Sequence, residues 1–197
     1  MAFIVFKING MKYQRLSKEQ LNEMHKEFIN FLASQTITAA EWEDIKKETP
    51  DVAEQELDVF SDLVWEGVLT QVNYLEHMSP QQMHLFHMTE NNMQVIAVQL
   101  KNEIDLTTKE GFSWLRENLM NDEVEFLQAK KEYSNDRNAD KFTLIQQGAV
   151  ISKGDLFSGF VNSAFKASNL SVSLIFKVCK PVKLQEMPSE KQVTAMV

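Results

Sequence analysis

The sequence predicts an α+β fold, with N-terminal helices packed on a small, mostly antiparallel sheet that carries further helices. Three observations lead there. The first third of the chain places apolar residues at helical spacing behind recognisable helix caps. The middle switches to a period of two around a polar turn. Beyond it, helix and strand patterns mix, and the β-α alternation that a doubly wound parallel sheet needs from its start is absent.

The elements follow in order. In "MKYQRLSKEQLNEMHKEFINFL", Ser17 and Gln20 form a capping box, and Leu21, Met24, Phe28, Phe31 and Leu32 continue at helical spacing. "TAAEWEDIKKE" repeats the box with Thr38 and Glu41 and points Trp42 and Ile45 inward. Thr49 as N-cap and Pro50 at the first helical position, where a missing N–H costs nothing, open a helix that should run to about Leu69. "VNYLEHM" reads as a strand. "MHLFHM" and "MQVIAVQL" flank the polar "TENN" and predict a hairpin, its second strand having one largely apolar and one mixed face. "TTKEGFSWLRENL" is a helix capped by Thr107 or Thr108, with Phe112, Leu115 and Leu119 inward. "EVEFLQA" is a further strand. "NADKFTLIQQG" is a helix with Gly148 just past its end, and "SKGDLFSGFVNSAF" a last short helix.

Composition bounds the function. A chain of 197 residues with 44% hydrophobic content suits one domain with a real core, drawn here at 11–167. Few glycines (6) and prolines (4) disfavour an all-β sandwich. The single cysteine, Cys179, excludes an internal disulfide framework and suits a reducing compartment. The net charge of −8 is uneven: residues 160–197 carry five lysines and two glutamates, leaving −11 for the rest. An acidic body repels phosphate, so no nucleic-acid partner is expected. No run reaches the roughly 18 apolar residues of a membrane span. "MAFIVFKING" lacks the basic start and cleavage site of a secretory signal, so the expected location is cytoplasmic, with no membrane association. Met11 could itself be the start, which makes residues 1–10 a non-native or disordered extension. The lysine-bearing stretch from Ser168 to Val197 breaks the preceding pattern and reads as an appended, poorly ordered tail.

Three stretches then carry a resemblance: "EWEDIKKETPDVAEQELDVFSDLVWEGVL", "IDLTTKEGFSWLRENL" and "YSNDRNADKFTLIQQGAVISKGDLF". With "MKYQRLSKEQL" they resemble an uncharacterised family of short cytoplasmic proteins from flavobacteria and their relatives, over roughly residues 11–165. The resemblance brings no assigned catalytic or binding residue. The chain departs from the family pattern at both ends.

Candidate chemistry is sparse. The sequence holds no P-loop and no G-x-G-x-x-G, and "GFSWL" around Ser113 lacks the second glycine of a nucleophile elbow, so no cofactor is expected. "HMSPQQMHLFHM" gathers His77, His84 and His87. Pro80 forbids one continuous helix through them, and on a strand the odd spacing sends His84 and His87 to opposite faces. No tight metal site is therefore expected, and ordinary sheet and loop histidines are; a metal held by His77, His84 and His87 is the alternative. Another alternative is a small enzyme using one of the three as acid or base in a pocket between sheet and helices.

The other candidate is an acidic stripe. Asp51, Glu54, Asp58, Asp62 and Glu66 recur at steps of three or four along the helix that Pro50 opens, with Trp65 at its edge. Ala53, Leu57, Phe60, Val64 and Val68 face inward, and Val52, Val59 and Leu63 add a second apolar strip suggesting more than one neighbour. Two readings compete. One is a solvated face paired with lysines such as Lys130, Lys131 or Lys141. The other makes the protein an interaction or regulatory module that docks a basic protein partner on the stripe, anchored by Trp65. Mutual repulsion along the stripe predicts that Asp58→Asn is neutral or slightly stabilising. The oligomeric state stays open.

Overall fold

The computed structural model describes residues 10–168. Apart from Gly10 and Ser168, the expected extension and tail, with Cys179, lie outside the described residues. The fold is α+β, with seven helices among the described residues and a five-stranded antiparallel sheet. Where the sequence draws one domain over 11–167, the chain divides between Gln71 and Val72 into two compact units.

The first unit is helical: α1 (Lys18–Glu23), α2 (His25–Ser34), α3 (Ala39–Glu48) and α4 (Pro50–Gln71). Ser17 and Thr38 each complete a reciprocal capping box, with Gln20 and Glu41 reaching back to the cap N–H. The single helix expected across residues 17–32 is interrupted at Met24, whose ψ of 21° leaves the α region. Beside the break, His25 Nδ1 lies 3.2 Å from the Asn22 carbonyl oxygen, a local contact that competes with regular helix. Thr49 precedes Pro50 as expected, but its hydroxyl donates back to the Ile45 carbonyl of α3.

An aromatic cluster ties these helices together. Phe28 meets Trp42 and Phe60 edge-on, at centroid distances of 5.3 and 5.1 Å, and Phe31 lies 5.4 Å from Phe60. Phe60 is buried, as the inward face of α4 requires, and burying such a ring stabilises by about 1.5–3 kcal/mol. The second apolar strip is not covered as expected: Leu63 is 57% exposed and Val52 39%. Val68, expected inward, is 40% exposed.

The second unit holds β1 (Tyr74–Ser79), β2 (Gln82–Met88), β3 (Asn92–Leu100), α5 (Lys109–Glu117), β4 (Val124–Glu132), α6 (Arg137–Gln146), β5 (Val150–Ile151) and α7 (Asp155–Ser168). The strand order is β4-β3-β2-β1-β5, and every pairing is antiparallel. The β2–β3 hairpin forms around the polar turn as expected. A second hairpin joins β1 to β2 through Pro80 and Gln81, and the two-residue β5 adds an edge; neither was anticipated.

Strand parity sorts the sheet into two faces. One carries Leu75, Phe86, Met88, Met93 and Val95, which pack with Leu144 of α6 and with Ala149. The other carries Met83, Leu85, Ile96, Val98 and Leu100, which pack with Leu115 of α5 and Phe160 of α7. The interior strand β3 therefore buries apolar residues on both faces, Met93 and Val95 on one and Ile96, Val98 and Leu100 on the other. No helix among the described residues is long and apolar enough to cross a membrane.

Candidate functional site

The acidic stripe lies along α4, and the structure brings four of its carboxylates to one partner: the non-helical segment formed by residues 12–16 of the same unit. Asp62 accepts two backbone N–H bonds, from Lys12 at 2.7 Å and from Tyr13 at 2.8 Å. Glu66 accepts from the Tyr13 hydroxyl and, at 2.9 Å, from Lys12 Nζ. The Arg15 guanidinium bridges one turn of helix, donating to the carboxylates of Asp58 and Glu54 and, at 3.2 Å, to the Glu54 carbonyl. Trp65 donates its indole N–H to the Gln14 carbonyl at 2.9 Å, and the Leu16 N–H donates to Ser61 Oγ at 3.2 Å. The hydroxyl of buried Ser61 in turn donates a hydrogen bond to the Leu57 carbonyl at 2.7 Å.

The helical spacing explains this match. Carboxylates at 54, 58, 62 and 66 stand one turn apart on one face. The facing segment bends at Lys12 and Tyr13 and has no regular secondary structure over residues 14–17. Two cations and two backbone N–H groups are thus spread over four acids, and the repulsion among those acids is offset within the unit. Asp51, the fifth acid, sits in the first turn of α4, where the positive end of the helix dipole favours it. Electrostatics register the fit. Burial and the bond to Glu66 push the Tyr13 phenol up to about 12. The bond to Asp58 holds the Arg15 guanidinium still more firmly protonated than usual.

The cations that pair with the stripe are therefore Lys12 and Arg15, where sequence reading offered Lys130, Lys131 or Lys141. Sequence separations of 39–54 residues leave no local signature for such pairs. Lys141 has a different setting. It is fully buried on α6, and its Nζ donates to the Val72 carbonyl at 2.8 Å. Burial, with a smaller effect of Arg137, lowers its ammonium to about 8.

The three histidines divide. His77 and His84 are directly opposed across the β1–β2 hairpin, their ring centroids 5.9 Å apart. Burial first, then the neighbouring His77, lowers the His84 imidazole from its ordinary range. His87 turns to the opposite face, where it stacks on Tyr74 at 4.6 Å and touches Phe157. A two-residue turn centred on Pro80-Gln81 is the signal that would have placed His77 against His84. A cleft of about 370 Å³ in this unit is lined by Phe112, Arg116, Leu119, Asp155, Leu156, Gly159 and Phe160, and none of the three histidines lines it. No three His, Cys, Asp or Glu side chains converge as a metal site among the described residues.

A family model, that of a family of unknown function, matches residues 11–164. No curated protein and no solved structure matches the chain.

Proposed function

The chain belongs to this family of unknown function, DUF6495, and we propose that its helical unit is a protein-interaction module whose α4 face takes a basic, non-helical segment of a partner. The reading is supported by one observation above all: the face already holds such a segment, Lys12 to Leu16, through its backbone and its side chains together. That segment displays the chemistry a partner needs. It is basic, aromatic, any residue, basic, aliphatic. Asp62 reads the main chain, Glu66 the first cation and the phenol, and Asp58 with Glu54 the arginine. In this reading residues 12–16 cover the face in cis, and a partner of the same pattern replaces them, which makes the module regulatory as well as adhesive.

The experiment is a peptide titration. A labelled peptide of sequence KYQRLSK is added to the full chain and to its Lys12→Ala/Arg15→Ala variant, in which the covering segment is weakened. The variant should bind at least tenfold more tightly than the parent chain, and adding Asp62→Asn to the variant should remove that binding. A folded variant that binds no peptide would leave the contact purely internal and end the proposal.

A further inference from the structure

The hairpin that opposes His77 and His84 creates a pair that neither the helical face nor any catalytic pocket accounts for. Their Nδ1 atoms are both buried and have no hydrogen-bond partner. Buried polar atoms of this kind are rare and call for an explanation. Gly148, at φ 94°, lies against the Cδ2–Nε2 edge of the His77 ring, so Nδ1 belongs to the edge turned away from that loop. Strand register puts Ala97 beside His84 on β3, with no bulky or charged side chain at that position.

We propose that His77 and His84 form a two-ligand site for a borderline divalent metal ion, with zinc as its simplest probe. The distance fits. An imidazole nitrogen holds zinc at about 2.0–2.1 Å, which puts each ring centroid roughly 3 Å from the ion. Two rings on one ion then have centroids roughly 5–6.5 Å apart for angles from tetrahedral to straight. The observed 5.9 Å lies inside that range. Imidazole is the ligand that suits zinc, copper and nickel. Binding needs neutral rings, and the burial that lowers the His84 imidazole lessens competition from protons. Among the described residues no third His, Cys, Asp or Glu side chain converges with the pair, so affinity is modest. Two of the four ligands of a structural zinc site should give a dissociation constant of roughly 1–100 μM.

Zinc is titrated into the full chain by calorimetry at pH 7.5. One ion per chain should bind in the micromolar range, at least tenfold more weakly in His77→Gln and in His84→Gln, and unchanged in His87→Gln. A second readout needs no variant. Nitrogen chemical shifts of the imidazoles in the parent chain should move on titration for the Nδ1 atoms of His77 and His84 and stay fixed for His25 and His87. No binding at millimolar zinc, binding that survives both substitutions, or shifts confined to the other two rings would each overturn the proposal.

Discussion

Asp62 is the residue on which the α4 face turns. It takes two backbone N–H groups of the 12–16 segment, from Lys12 and Tyr13, a contact that does not depend on their side chains. Asp62→Ala leaves both donors without their charged acceptor, and a loss of about 1.5–3 kcal/mol follows from the strength of such bonds. A urea melt of the full chain checks this. Asp58→Asn was expected from repulsion alone to be neutral or slightly stabilising. Its bond with Arg15 reverses the sign. A partly exposed pair of this kind contributes about 0.2–1 kcal/mol, so the melting temperature should fall slightly. His84 makes the pH prediction. Its folded-state affinity for a proton is below that of the unfolded chain, so the unfolded state binds more protons as pH falls past about 6.5. The contribution is fully present above that value and is lost progressively below it. The slope of unfolding free energy between pH 6.5 and 5 should be shallower in His84→Gln, measured by urea titration at each pH.

At the scale of elements, two glycines fix the loops around the sheet. A Cβ on Gly111 would stand 1.9 Å from the Asp105 carbonyl oxygen, at the start of α5 where Thr108 caps the helix. Backbone cannot yield as a side chain does, so Gly111→Ala should cost about 2–3 kcal/mol, within the range of overpacking. Thermal denaturation reads it directly. Gly154 combines φ 82° with a Tyr74 ring 2.5 Å from the same virtual atom, so its substitution meets strain and clash together. Neither demand is written in the local sequence. What was legible was local: the caps at Ser17, Thr38 and Thr108, Pro50 at the head of α4, and the period of two in β2 and β3. The missing elements depend on partners far along the chain. β5 is two residues long and exists only because β1 pairs with it, too short for any period to register. The break at Met24 lies inside a pattern that is apolar at helical spacing on both sides. The stripe itself was visible, and its occupant was not, because Lys12 and Arg15 lie in a segment with no secondary structure to announce it.

For the whole molecule, the net charge of −8 and the clustering of acids on α4 favour cationic ligands at a distance as well as in contact. Capture of a basic segment should therefore weaken with salt, mainly through slower association, because the Debye length falls from about 10 Å at 0.1 M to about 3 Å at 1 M. Stopped-flow mixing with the labelled peptide at several ionic strengths checks this. The central claim is that residues 12–16 occupy a face that a partner segment can take. Hydrogen exchange of the Lys12, Tyr13 and Leu16 amides tests it most directly, since each is bonded to α4 in the covered state. In the full chain these amides should exchange slowly. Excess KYQRLSK peptide should accelerate all three together while the amides within α4 keep their protection. Unchanged protection at saturating peptide would contradict the account and make the segment a permanent part of the unit.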